Sequence, residues 1–224
     1  MPKSQLIPEH QTLLNLVRRS VEMHLNAQQA GHGLDHTLRV LHWSRVIHDT
    51  AGGDLLVVEL AALLHDVGDA KFHQGQELGG KLSTEILTEL GVVAEVIERV
   101  VNVVDNISFR KGVPATELSL EGQIVQDADR LDALGAIGIV RTIEFGCFKG
   151  QAFHTPEDPR PIEQHASGIG HFFQKLFHLR SLLNTETARQ LAKQRERIMY
   201  SFVEQFLAES ACSLSLDQNF KTLN

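Results

Sequence analysis

From Leu55 to Leu64 every residue except Glu59 is apolar, and the run stops on an adjacent imidazole and carboxylate, His65-Asp66. Such a run predicts a helix buried on nearly all sides. A carboxylate at the end of a core helix is costly to desolvate alone, so it needs a partner: an Arg or Lys, a set of backbone amides, or a metal ion. Most isolated His-Asp pairs are satisfied core pairs. The other residues that converge on this one decide the reading.

Composition removes several function classes. The chain has 224 residues, 42% of them apolar, and a formal net charge of −7, enough to bury a sizeable core in one domain or one and a half. The acidic balance argues against general nucleic-acid or anionic-membrane binding, although a local basic pocket for a phosphate remains compatible with it. No apolar run approaches the roughly 20 residues needed to span a bilayer, and the polar start Met1-Pro2-Lys3-Ser4-Gln5 lacks a signal-peptide core, so the expected location is cytoplasmic. Cys147 and Cys212 form no Cys-x-x-Cys motif and are expected as ordinary thiols. With one Tyr and one Trp, stacking platforms for single-stranded nucleic acid are poorly supplied.

Residues 10–28 show an apolar stripe at helical spacing. After Gly31-His32-Gly33, Asp35 is placed to cap a helix reaching about Thr50, in which His36, Val40, Trp43 and Ile47 share one inward stripe. Asp54 is placed to cap the central helix. Further helices are expected over 76–90 and 92–104, then a loop over 106–119, a long surface excursion over 148–161, and helices over 162–183 and 185–208. No strand pattern exceeds a few residues, so the fold class is all-α. The expected organisation is one helical domain over residues 1–210, with a core over about 30–145, a helical hairpin over about 161–210, and a loose tail over 211–224.

The second informative stretch is Gln123 to Gly135, with three aspartates in an apolar helix. The face defined by Val125, Ala128, Ala136, Ile139 and Ile143 contains Asp129 and Asp132, whereas Asp127 falls on the opposite side and is expected in solvent. His36, His65 and Asp66, joined by Asp129 or Asp132, then make a mixed nitrogen and oxygen donor set. It suits Mn²⁺, Fe²⁺, Co²⁺, Ni²⁺, Mg²⁺ or Zn²⁺, and the lack of thiolate disfavours a closed structural zinc site.

The order His36, then His65-Asp66 29 positions on, then Asp129 in an Ala-Asp-x-Leu context, resembles the HD-domain superfamily of metal-dependent phosphohydrolases. The segments His32-Gly33-Leu34-Asp35-His36, Ala62-Leu63-Leu64-His65-Asp66-Val67-Gly68-Asp69 and Ile124-Val125-Gln126-Asp127-Ala128-Asp129-Arg130-Leu131-Asp132-Ala133-Leu134-Gly135 look like the small bacterial YedJ/YpgQ subgroup, and the resemblance covers roughly residues 10–210. It implies an HD-domain helical bundle with additional C-terminal helices. It also implies one divalent ion, Mn²⁺ favoured, on His36, His65, Asp66 and Asp129, which selects Asp129 over Asp132. Asp69 falls where relatives carry an acidic residue that positions or deprotonates the attacking water. His32, Arg39 and Lys71 flank the site in sequence as candidates for phosphate oxygens. The absence of a Gly-Tyr-Pro motif with added histidines disfavours a binuclear cyclic-dinucleotide phosphodiesterase. The implied activity is cleavage of a (deoxy)nucleoside triphosphate to monophosphate and pyrophosphate. The alternatives are a nucleotide monophosphatase or phosphodiesterase on the same site, and a metal- and nucleotide-binding regulator without turnover.

Overall fold

The structure is a computed structural model, and it describes residues 8–25, 33–70, 73, 75–107, 114–155 and 167–221. Among these residues every regular element is helical: α1 (Pro8–Leu25), α2 (Leu34–Ala51), α3 (Leu55–Leu64), α4 (Gly79–Glu89), α5 (Ala94–Asn106), α6 (Leu120–Asp132), α7 (Gly135–Lys149), α8 (Gly168–Gln174) and α9 (Glu186–Lys221). They group into two compact units, Met1–Asp132 with Leu182–Arg189, and Ala133–Ser181 with Gln190–Asn224.

In the first unit α3 is central, and its residues from Val57 to Leu64 are all buried. Asp54 caps it as expected, its Oδ1 accepting from the N–H groups of Leu56 and Val57 at 3.0 and 3.4 Å. Arg99 reaches Asp54 Oδ2 at 2.6 Å and Glu121 Oε1 at 3.1 Å, which ties the start of α3 to α5 and α6. Glu59, the one polar residue of the run, is fully buried and would be costly alone. Two partners resolve this: the Arg45 guanidinium donates from Nε to Oε1 at 2.5 Å, and the His10 imidazole meets Oε2 at 2.6 Å. α2 packs against both α3 and α6, α4 against α5, and α1 against α3. α2 begins two residues earlier than the Asp35 cap predicted, because Gly33 takes the cap position in an extended conformation and Asp35 falls in the first turn, where its charge favours the helix dipole.

After Leu64 the chain leaves α3 through a tight turn, with Val67 N–H donating to the Leu64 carbonyl at 3.1 Å. Gly68 is essential to that turn for lack of a side chain. A Cβ there would lie 2.3 Å from both the Leu78 carbonyl carbon and the Gly79 nitrogen, backbone atoms that cannot rotate away. Gly68→Ala is therefore expected to cost about 3 kcal/mol, the upper end for overpacking, read as a lowered urea midpoint at unchanged slope. A midpoint within error of wild type would show that the start of α4 shifts freely.

The second unit holds α7, α8 and α9 from Gln190 onward. Ser167 caps α8 through its Oγ, which accepts from Gly170 N–H at 2.9 Å. Phe153 meets both Phe202 and Phe206 edge-on, and Phe177 stacks on Tyr200 at 3.9 Å. Three expectations change. The face drawn from Val125 through Ile143 assumed one continuous helix, but α6 ends at Asp132 and α7 starts at Gly135, which sits at φ +73°, and Ala136 and Ile143 are exposed. Of the helix expected over 162–183, residues 162–166 lie outside the described residues, and the rest is the short α8 followed by a 3₁₀ segment, Leu176–Leu182. α9 runs to Lys221, past the expected start of a loose tail, over residues containing no Gly or Pro to stop it.

Candidate metal centre

All the candidate ligands lie in the first unit. α2 supplies His36 near its N-terminus, the turn after α3 supplies His65 and Asp66, and α6 supplies Asp129. The inward stripe of α2 puts the His36 side chain in the interior with only 1% of its surface exposed.

The two imidazoles point their Nε2 atoms at each other across 3.2 Å. Asp66 Oδ2 is 3.5 Å from each of them. These three donor atoms lie within 4.8 Å of one another and form a group able to hold a metal ion. The separations fit one. For bonds of about 2.1 Å, cis ligands in an octahedron stand ~3.0 Å apart and those in a tetrahedron ~3.4 Å apart.

The far side of each ring fixes which nitrogen faces the site. His65 Nδ1 is 2.9 Å from the Ala62 carbonyl, which can only accept, so Nδ1 carries the proton and Nε2 presents a lone pair. His36 Nδ1 is 2.7 Å from Asp132 Oδ2, and a carboxylate likewise accepts.

Asp129 and Asp132, three positions apart on α6, meet the same imidazole from opposite sides. Asp129 Oδ1 is 3.4 Å from His36 Nε2 and its side chain is 39% exposed, whereas Asp132 is 1% exposed and faces Nδ1. The two candidates for the fourth ligand thus occupy different places, and only Asp129 stands on the open side beside the trio.

Electrostatics follow from this crowding. Burial by itself would lower the His36 pKa, but hydrogen bonds to Asp129, Asp132 and Asp66 outweigh it and raise it above the ordinary imidazole value. Burial pushes the Asp129 carboxyl up, yet the hydrogen bond to His36 and the charges of His36 and His65 prevail and hold it below the usual carboxylate range. Three carboxylates around one buried imidazole is an environment that favours positive charge at its centre, whether a proton or a metal ion supplies it.

The remaining sequence candidates fall in different places. Asp69 is partly buried in the same turn as the ligand pair, its N–H donating to the Asp66 carbonyl at 3.3 Å. Arg39, expected as a phosphate contact, directs Nε and Nη2 to Asp132 at 2.6 and 3.0 Å. His32 and Lys71 lie outside the described residues, as does the middle of the loop over 106–119. Asp127 was placed in solvent by its angle on α6. It is fully buried, because the turn before α9 covers that side of the helix. The roles of Asp127 and Asp132 depend on partners 57 and 96 residues away, which no local pattern reports.

Comparison with known proteins places these residues in a wider group. The HD domain family model matches residues 33–134, a span that contains His36, His65, Asp66, Asp129 and Asp132. The uncharacterised protein YpgQ of Bacillus subtilis is 39% identical over 191 residues, 84% of this chain and 89% of that protein. A crystal structure of Bacillus subtilis YpgQ in complex with ADP superposes with a TM-score of 0.75 at 32% identity, covering 89% of this chain and 96% of that one. An HD-superfamily hydrolase from Bacillus thuringiensis gives 0.74 at 36% identity over 90% and 98% of the two chains.

Proposed function

The chain belongs to the HD-domain family, and from that premise we propose that it hydrolyses nucleotides with the help of one divalent metal ion, Mn²⁺ by preference, splitting a (deoxy)nucleoside triphosphate into monophosphate and pyrophosphate. The observation that carries the reading is the convergence of two imidazole Nε2 atoms 3.2 Å apart with Asp66 Oδ2 at 3.5 Å from both. YpgQ has been crystallised with ADP, which supports a nucleotide as the ligand class. The relative from Bacillus thuringiensis is named as a hydrolase, which supports turnover over a purely regulatory role.

In this reading His36, His65, Asp66 and Asp129 hold the ion, and the open side of Asp129 leaves room for substrate oxygens. When bound, the ion supplies a Lewis acid for a phosphoryl oxygen and an acidified water as nucleophile. Asp69, in the turn that follows the ligand pair, would be the residue to orient the attacking water toward the α-phosphorus and accept its proton. The pyrophosphate leaves with added negative charge, and the candidate cations His32 and Lys71 answer it. Arg39, the third candidate cation, is bonded through Nε and Nη2 to Asp132. No helix among the described residues is long and apolar enough to cross a membrane.

Product analysis tests the proposal. Metal-stripped protein is incubated with mono-, tri- and cyclic nucleotides plus Mn²⁺ or Mg²⁺. Monophosphate with pyrophosphate is the expected result. Orthophosphate from monophosphates would move the assignment to a nucleotidase, opening of a cyclic form to a phosphodiesterase, and retention of intact nucleotide with bound metal to a regulator.

A further inference from the structure

We propose that Asp132 is the positioning residue of this centre: it fixes the proton on His36 Nδ1 so that Nε2 meets the metal ion as a lone pair, and Arg39 acts through Asp132, not on substrate. The inference rests on the metal-dependent reading above and adds residues that a four-ligand description leaves out.

The arrangement is built from two pairs three residues apart on two packed helices. His36 and Arg39 lie on α2, Asp129 and Asp132 on α6, and α2 and α6 pack together. Residues three apart share a helix face, so each helix presents two side chains to the other. The result is a line of bonds: Arg39 Nε and Nη2 donate to Asp132 at 2.6 and 3.0 Å, and His36 Nδ1–H donates to Asp132 at 2.7 Å. His36 Nε2, at the far end of the line, faces His65 and Asp66.

Each bond restricts the next. The guanidinium fork engages both oxygens of Asp132, so the carboxylate cannot rotate about its last torsion without losing a donor. A fixed carboxylate defines both the orientation of the ring and the nitrogen that carries the proton. His65 achieves the same end with the Ala62 carbonyl. For His36 the acceptor comes from another helix, the Asp132 carboxylate of α6.

Burial separates the two aspartates by role. Asp132 is 1% exposed and Asp129 is 39% exposed. A residue that meets substrate and solvent must be reachable, whereas one that only aims a ligand works best sealed from water. Arg39 was attractive as a phosphate contact for its charge and its place beside His36. Its bidentate bonding instead directs that charge into the protein.

The test measures metal binding without nucleotide. Full-length protein is stripped by chelation and titrated with Mn²⁺, free ion being read by electron paramagnetic resonance. Imidazole ¹⁵N chemical shifts report the His36 tautomer. Asp132→Asn keeps the volume but places an amide group against either His36 Nδ1–H or the Arg39 fork. Mn²⁺ affinity is expected to fall about tenfold to a hundredfold, with a changed His36 nitrogen pattern and an unchanged helical circular-dichroism spectrum. Arg39→Ala is expected to lose several-fold in affinity, and the double variant to bind no more weakly than Asp132→Asn alone, because one residue acts through the other. A folded Asp132→Asn protein that binds Mn²⁺ within twofold of wild type, with the wild-type tautomer, would overturn the proposal. Should Asp132→Asn fail to fold, Arg39→Ala decides, since unchanged affinity there is equally fatal. A wild-type protein that does not bind Mn²⁺ would sink the metal reading together with this one, whereas wild-type binding with an indifferent Asp132 would sink this one alone.

Discussion

Asp66→Ala is expected to lose Mn²⁺ binding and to lower nucleotide turnover by about a thousandfold or more, equivalent to roughly 4 kcal/mol of transition-state stabilisation. Asp66 is the one anionic donor of the trio, its Oδ2 standing 3.5 Å from both Nε2 atoms. Removing it leaves two imidazoles and the half-exposed Asp129 carboxylate, a set with one anionic donor fewer that holds hard divalent ions poorly. The fold is expected to survive, since the Asp66 side chain retains 14% exposure and the turn is held by backbone bonds such as Val67 N–H to the Leu64 carbonyl. Asp69→Asn separates binding from chemistry: it should retain Mn²⁺ affinity within a few-fold while turnover falls by about 10²–10⁴, the range for a lost general base. Metal retained in Asp66→Ala, or metal lost in Asp69→Asn, would exchange the two roles.

The same centre sets a pH dependence. His36 in the metal-free protein has a pKa above the ordinary 6.5, through its bonds to Asp129, Asp132 and Asp66 working against burial. Its raised value means that this pairing stabilises the metal-free fold fully below the ordinary imidazole pKa, and that the contribution is lost as pH rises through the raised value. Binding a cation must displace that proton, so Mn²⁺ affinity is expected to increase with pH across the window, by at most about tenfold per unit for one proton released. Calorimetry in buffers of different ionisation enthalpy counts the protons directly.

How much of this was legible in the sequence follows from the range of each determinant. The buried α3 and its Asp54 cap, and the inward His36, are set by periods of three to four residues and could be read from them. His36, His65 and Asp66, which the structure brings into one group able to hold a metal ion, each lie on a helix or turn that local pattern and resemblance single out. Asp129 and Asp132 share a face, so angle alone left them equivalent. What separates them is that His36 stands between them, 2.7 Å from one and 3.4 Å from the other, a fact of packing. Arg39 is ambiguous for a related reason: a cation beside a phosphate site and a cation aiming a carboxylate look identical in one dimension, and only packing shows its bonds to Asp132. Gly135 carried a visible warning, since glycine at the end of an apolar helix is a common stop, and reading through it extended the α6 face too far.

Asp127 is the residue whose angle on α6 was most misleading, and it carries the second large prediction. Its carboxylate accepts four hydrogen bonds at full burial: Asn184 N–H at 2.8 Å, Asn184 Nδ2 at 3.0 Å, Thr185 N–H at 2.7 Å and Thr185 Oγ1–H at 2.8 Å. Thr185 Oγ1 in turn accepts from Ala188 N–H at 3.3 Å, so the network caps the first turn of α9. Asp127→Ala removes the acceptor and leaves buried donors unpaired at about 1–3 kcal/mol each. Water reaching the half-buried Asn184 recovers part of this, so a total of roughly 3–4 kcal/mol is expected in urea unfolding. Burial raises the Asp127 pKa against the pull of its donors. A raised carboxyl favours the fold below its unfolded value and loses that contribution as pH rises through the folded one. The gap between wild type and Asp127→Ala should therefore be widest in acid and narrow toward neutrality. Asp129, two residues along the same helix, should behave in the opposite way: its alanine variant weakens Mn²⁺ binding with little loss of stability. An Asp127→Ala protein less than about 1 kcal/mol below wild type would mean that the turn before α9 is held by something other than this carboxylate.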